Sequence, residues 1–138
     1  MSDTPTQPPG LPRLPDVPAW IAAELARLLH PDLIEVRGCV LFAWAYRPDY
    51  FETWWTELKG DRARIESVLN HVHLWNVFDA EDDNGNKLGE LAEVVAESWR
   101  ASVAKRFPGR SFEVSVSSDG SDYGPTVYLH SVCPPEVP

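Results

Sequence analysis

The sequence of 138 residues has no apolar run long enough to cross a lipid bilayer. The longest such run extends from Cys39 to Tyr46, well short of the roughly 20 residues that a transmembrane helix requires. The N-terminal segment MSDTPTQPPGLPRLPDVP also lacks the basic region followed by an apolar core that a secretory signal would show. We therefore expect a protein that does not span a membrane and that acts in the cytoplasm.

Cysteine and positive charge are both scarce. The two cysteines, Cys39 in an apolar run and Cys133 near the C-terminus, are too few to suggest a disulfide scaffold. Lysine and arginine number 12 against 21 aspartates and glutamates, which leaves a net charge of −9. A surface of that sign repels nucleic-acid phosphates and anionic lipid. Nucleic-acid and membrane partners are therefore disfavoured, whereas a protein partner or self-association is expected.

Common catalytic signatures are also missing from the sequence. It contains no GxSxG nucleophile motif, no GxGxxG, no phosphate-binding glycine loop and no CxxC pair. The sequence therefore contains no recognisable motif for serine or cysteine catalysis or for nucleotide-dependent chemistry. We do not expect an enzyme, unless a metal ion supplies the chemistry.

The composition that remains is that of an ordinary globular domain, with 43% apolar and 24% charged residues. Residues 1–15 contain five prolines and few large side chains, a composition that cannot offset the entropy cost of ordering. We expect residues 1–15 to be a flexible tail, residues 16–133 a single domain, and residues 134–138 a C-terminal tail.

Hydrophobic periodicity predicts an α+β domain in the order α-β-α-β-α-β-β. The first helix begins near Asp16 and buries Ile21, Leu25 and Leu28. The other predicted segments are a strand over 33–46 with a bulge at Gly38, helices over 49–60 and from 61, a strand over 71–78, a helix over 87–107 and a hairpin over 111–132. Because helices connect the first three strands, we expect parallel pairs there and one mixed four-stranded sheet. Three to four helices then cover mainly one face, as a two-layer sandwich.

A His-x-His pair is the strongest metal-ligand pattern in the sequence. His71 and His73 alternate in a predicted strand and therefore share one face. His130 from the hairpin would add a third nitrogen, and Asp79 or Glu81 would add an oxygen after a chain bend. The pattern is compatible with a divalent metal site, and no other cofactor is expected. The more common alternative is two histidines on a solvated sheet face, hydrogen-bonded to their neighbours.

Six tryptophans are the most unusual feature of the composition. Trp54 and Trp55 are adjacent in a predicted helix and point about 100° apart, so we expect one of them at the margin of the packed stripe. Trp75 and Tyr128 fall on the polar face of the later strands. Large rigid rings at a surface are typical anchors of protein interfaces, so these four residues are the predicted partner-binding set.

These patterns support three functional hypotheses. The leading one is a small acidic, non-enzymatic protein-interaction module that is dimeric or binds another protein. The alternative is a metal-binding protein or small metal-dependent enzyme that uses His71 and His73. A third hypothesis is an acidic inhibitor or immunity-type protein that covers a basic site on its target.

Overall fold

A computed structural model describes residues 10–78, 87–117 and 124–132 of the chain. Asp79, Glu81, most of the predicted N-terminal tail and all of the predicted C-terminal tail lie outside these ranges. The helices are α1 (Ala19–Leu29), α2 (Pro48–Glu57), α3 (Arg62–Leu69) and α4 (Lys87–Arg106). The strands are β1 (Leu33–Val36), β2 (Cys39–Phe42), β3 (His71–His73), β4 (Phe112–Ser117) and β5 (Thr126–Ser131). The α+β class predicted from the sequence is confirmed.

The predicted long strand over residues 33–46 is wrong, because the chain reverses at Arg37 and Gly38. Val36 pairs with Cys39 in an antiparallel register, so the connection contains only two residues. Both have positive φ, 48° at Arg37 and 81° at Gly38, as a type I′ turn requires. Gly38 is therefore a turn residue and not a bulge, and the segment forms the hairpin β1–β2.

Two antiparallel sheets replace the single mixed sheet that the sequence predicted. One contains β1 and β2, and the other has the order β3-β5-β4. Every strand pairing in the described ranges is antiparallel. The expected parallel pairs do not form, because residues 33–46 pair with themselves and β3 ends after His73, where Leu74–Asn76 turn as a short 3-10 helix.

Helix α4 packs across one face of the three-stranded sheet and completes the main core. The predicted helix over 87–107 is confirmed, and Val95, Trp99 and Val103 on its apolar stripe are buried against Val114 and Leu129 of the hairpin. No helix in the described part of the chain is both long and apolar enough to cross a membrane.

Glu66 of helix α3 and its C-cap residue Asn70 are both buried and join the two sheets. The N-cap of α3 is Asp61, as the sequence predicted. The Glu66 carboxylate accepts the N–H of Val40 in β2 at 2.7 Å and the N–H of Ser131 in β5 at 2.8 Å. Asn70 accepts the N–H of Phe42 at 3.1 Å and donates to the carbonyl of Val40 at 2.7 Å. Because residues four apart share a helix face, α3 supplies partners that a neighbouring strand would otherwise provide.

Helix α1 is anchored to the core only at its C-terminal end. Leu28 is buried there, but Ile21, predicted as part of the same buried stripe, is 42% exposed because the first turns of the helix extend past the body. Two side chains of α4 hold the anchored end: Ser98 Oγ donates to the carbonyl of Leu29 at 2.5 Å, and Trp99 Nε1 donates to that of Leu28 at 2.8 Å. These bonds satisfy carbonyls that the end of a helix leaves without partners.

Candidate functional site

The polar sheet face predicted from the sequence exists, on the side of the three-stranded sheet opposite α4. His71 is directly across from Tyr128 in β5, and Tyr128 is across from Ser115 in β4. Glu113 and His130 form the next pair along. Alternation along each strand places these side chains on one face, while Val114 and Leu129 point into the core.

The two histidines of β3 lie together and are engaged by neighbouring side chains. Their ring centroids are 4.9 Å apart in an edge-on arrangement, and the Tyr128 ring stacks on His71 at 5.5 Å. His73 Nδ1 is 2.8 Å from the hydroxyl of Thr126. The Nδ1 atom of His71 is buried and has no hydrogen-bond partner among the described residues. This cluster is a half-buried aromatic contact on the sheet surface.

His130 is held by its own surroundings and does not join the pair on β3. Its Nδ1 donates to the carbonyl of Ser131 at 3.0 Å, and its Nε2 is 3.5 Å from a carboxylate oxygen of Glu113. Within the described ranges, no group of three or more His, Cys, Asp or Glu side chains is arranged to hold a metal ion. The contribution expected from Asp79 and Glu81 lies outside those ranges and stays a prediction.

Trp54 and Trp55 are both half-buried against the smaller core cluster around Phe51. The Trp55 ring lies 5.8 Å from that of Phe51 and under the guanidinium of Arg37, 5.1 Å from its centroid. Trp54 meets the exposed ring of Tyr50 edge-on at 6.2 Å. The two indoles thus have partners within the chain, which leaves them less free surface to offer another protein.

Trp75 lies at the end of the sheet, against Gly124 in the bend that precedes β5. It is 40% exposed. A Cβ atom on Gly124 would lie 2.5 Å from the Trp75 ring, and the φ of Gly124 is +67°. Only glycine fits this position without strain, so backbone conformation and ring packing depend on each other here.

The most exposed indole is that of Trp20 in α1, a helix in which no partner-binding residue was predicted. Trp20 is 69% exposed, and it follows three other exposed apolar side chains at intervals of three residues, Leu11, Leu14 and Val17. The signal was present in the sequence, since Trp20 lies about 140° around the helix from Leu25 and so cannot belong to its buried stripe.

A second exposed indole, Trp44, follows β2 near the C-terminal end of α1. It is 42% exposed and packs against Phe42 at 4.8 Å between ring centroids. A pocket of about 300 Å³ opens beside it, and its walls are formed by Arg27, His30, Asp32, Ala43 and Trp44. Arg27 belongs to α1 and is paired with Glu24 at 3.0 Å. Helix α1 therefore carries an exposed ring at one end and one wall of a pocket at the other.

A larger cavity of about 450 Å³ lies between the start of α3 and the turn that precedes β4. Two arginines line it, but both donate to backbone carbonyls: Arg62 Nε to Arg37 at 2.8 Å, and Arg110 Nη2 to Gly38 at 2.9 Å. Arg110 Nη2 also donates to the Ser131 hydroxyl at 3.0 Å. The arginines therefore hold the hairpin turn of β1–β2 against β5.

Cys39 is buried beside the contact between the β1–β2 turn and β5, and its thiol has low reactivity. Burial raises the pKa of its thiol from the ordinary 9.0 to about 11, and the nearby charge of Glu66 acts in the same direction. Since the thiolate is the nucleophile and the metal ligand, the pKa of Cys39 keeps it protonated and unreactive near neutral pH.

Comparison of the chain with known protein families, with curated proteins and with solved structures finds no match in any of the three.

Proposed function

We propose that this chain is a protein-interaction module whose contact surface is formed by Trp20, Ile21, Arg27 and Trp44, hereafter the α1 surface. The observation that carries the proposal is the 69% exposure of Trp20. This ring stands on a helix whose opposite end is fixed to α4 by two hydrogen bonds. A tryptophan side chain has only two torsions to fix on binding and therefore loses little entropy, which favours its use as an anchor.

The exposed rings differ in the surface area that they can bury against a partner. An aromatic residue of this size buries about 150–250 Å² when covered, and interface tryptophans commonly cost about 2 kcal/mol or more of binding free energy when truncated. Trp20 has 69% and Trp44 42% of its surface exposed, whereas Trp54 and Trp55 already bury much of theirs within the chain. The support for an interface is therefore strongest at α1.

Charge also supports this location. The whole chain carries −9, but α1 contains one acidic and one basic residue, Glu24 and Arg27, which neutralise each other at 3.0 Å. An interface core is typically depleted in unpaired charge. The α1 surface comes close to that condition, with Asp32 beside Trp44 as a further acidic side chain.

The test is the effect of Trp20→Ala on a reconstituted complex. The chain is purified with its binding partner, the partner is identified by mass spectrometry, and the complex is rebuilt from purified components for Kd measurement. We expect Trp20→Ala to weaken binding at least about tenfold. Circular dichroism would establish that the variant remains folded.

Trp75→Ala is the matched control, because it removes an indole of 40% exposure from a different surface. We expect it to change Kd less than about twofold. A complex unaffected by Trp20→Ala, or one weakened only by Trp75→Ala, would contradict the α1 surface. The second result would instead place the contact at the end of the sheet.

A further inference from the structure

The exposed ring of Trp20 and the pocket beside Trp44 lie on one line along α1 but cannot meet within one chain. Trp20 and Arg27, which lines the pocket, are seven residues apart, so they share a helix face and are separated by about 10 Å along the axis. Side chains of a helix point back toward its N-terminus. The Trp20 ring is therefore directed away from the pocket of its own chain.

A twofold axis through the middle of this face would bring the ring and the pocket together between two copies. If the axis passes between Ala23 and Glu24, an antiparallel copy places its residue 27 opposite residue 20 and its residue 20 opposite residue 27. Such an isologous contact uses the same patch twice and closes on itself. Ala23, exposed on this face, is small enough to let two helices approach to the usual 8–10 Å.

We propose that the partner of the α1 surface is a second copy of this chain, with each Trp20 inserted into the other copy's pocket between Arg27 and Trp44. This inference rests on the function proposed above and names its partner. In the pair, the indole of Trp20 stacks on the Trp44 ring and meets the guanidinium of Arg27, contacts that aromatic and cationic groups favour. Each copy donates one ring and receives one.

Charge decides between a second copy and a basic partner at this surface. Two chains of −9 each repel one another, so they can approach closely only through a patch without net charge. Helix α1 comes close to this condition, because Glu24 and Arg27 are its only charged side chains and are paired, and Asp32 in the pocket wall adds one acidic side chain. A basic protein would gain only the attraction of Asp32 there, since Glu24 is already paired with Arg27.

A mixing experiment with two complementary variants tests the arrangement. Trp20→Ala removes the ring and keeps the pocket, while Ala43→Trp fills the pocket and keeps the ring; Ala43 is exposed and tolerates the larger side chain. Sedimentation equilibrium of the full chain over about 1–200 µM should show a dimer for the wild type. Each variant alone loses both contacts, so its dimer Kd should rise at least about tenfold.

The equimolar mixture decides the geometry, because a heterodimer of the two variants retains one intact ring-and-pocket contact of the two. We expect the mixture to associate more tightly than either variant alone. Trp20→Phe, which keeps an aromatic ring, should restore part of the affinity and guards against misfolding as the cause. A mixture no tighter than its components would overturn the antiparallel arrangement.

The outcome for the wild type separates this inference from the proposed function. If the chain stays monomeric to about 200 µM but a different purified protein binds it and Trp20→Ala weakens that complex, self-pairing is overturned and the interaction surface stands. If neither self-association nor a Trp20-dependent complex forms, both proposals fall.

Discussion

The carboxylate of Glu66 lies 2.7 Å from the backbone nitrogen of Val40, so a helix side chain takes the place that a neighbouring strand would fill. The same carboxylate accepts the backbone N–H and the hydroxyl of Ser131, at 2.8 and 2.9 Å. Glu66 is fully buried, and its charge is compensated by these three donors. A buried charge with fewer partners would be strongly destabilising, so the seam between the sheets depends on this geometry.

Glu66→Gln should destabilise the fold by about 2–4 kcal/mol, because an amide NH₂ would replace an acceptor that faces hydrogen-bond donors. Urea unfolding followed by tryptophan fluorescence measures the free energy of unfolding. Glu93→Gln, at an exposed position of α4, is the control and should change stability by less than about 0.5 kcal/mol. Equal stability of both variants would mean that the carboxylate is not needed at the seam.

Gly124→Ala should cost about 2–3 kcal/mol, because it places a Cβ 2.5 Å from the Trp75 ring at a φ of +67°. The displaced ring should also change the fluorescence of the folded protein. The matched substitution is Gly89→Ala within α4, where a Cβ meets no described atom within 4 Å. That change should stabilise the helix by up to about 1 kcal/mol. Thermal melting of both variants measures the opposite signs, and a stable Gly124→Ala protein would refute the coupling.

The raised pKa of Cys39, about 11, predicts slow thiol chemistry and an alkaline loss of stability. In a Cys133→Ala background, a disulfide reagent at pH 8 should modify Cys39 at least about 100-fold more slowly in the folded than in the unfolded protein. The folded thiol holds its proton more tightly than the unfolded one. Its contribution to stability is therefore complete below pH 9 and is lost as the pH rises from 9 to 11.

Cys39→Ala supplies the control for the alkaline effect. In that variant the fall in the free energy of unfolding between pH 9 and 11 should be smaller than in the Cys133→Ala parent. Rapid modification of the folded protein at pH 8 would show that the thiol is accessible after all.

Association of two copies through the α1 surface should not weaken as the salt concentration is raised. Because Glu24 and Arg27 neutralise each other and salt screens the repulsion between two chains of −9, raising the ionic strength from about 0.05 to 0.5 M should leave Kd unchanged or lower it. An acidic inhibitor docked on a basic site would instead lose affinity steeply over this range. Titration calorimetry or sedimentation at several salt concentrations distinguishes the two, and a steep loss would favour the inhibitor hypothesis.

The elements that the sequence predicted correctly have a hydrophobic pattern that continues over many consecutive residues. The α4 stripe through Val95 and Trp99 and the pairing of β4 with β5 are confirmed, because each is set by periodicity over many residues. The error over residues 33–46 arose because alternation continues through the turn, and Arg37 with Gly38 is not the usual Asn-Gly signal of a type I′ turn. Local pattern alone does not reveal such a reversal.

The exposed site was harder to predict, because exposure is decided by where the rest of the chain ends. Ile21 has the same phase as Leu25 and Leu28, yet it lies beyond the body of the domain and remains exposed. Alternation predicted that His71 and Tyr128 lie on polar strand faces, but it did not determine the strand order that brings β3 beside β5. The role of Glu66 was not predictable, since a single glutamate in a short helix gives no sequence signal of the two strands it joins.

The two sheets are joined through α3 and not by a backbone ladder, so the domain has a boundary that a continuous sheet would lack. Backbone ladders form with almost any sequence, whereas the seam between β2 and β5 depends on two particular residues. The Glu66 side chain binds both strands, and Asn70 binds β2 through its side chain and the N–H of Leu129 in β5 through its carbonyl. The amide protons of Val40, Phe42 and Ser131 should therefore exchange with solvent together, in a single opening event in which α3 lifts away. The contact between the two sheets, made by one face of α3, is therefore the weakest part of the domain. Single substitutions on that face should change its stability without altering either sheet.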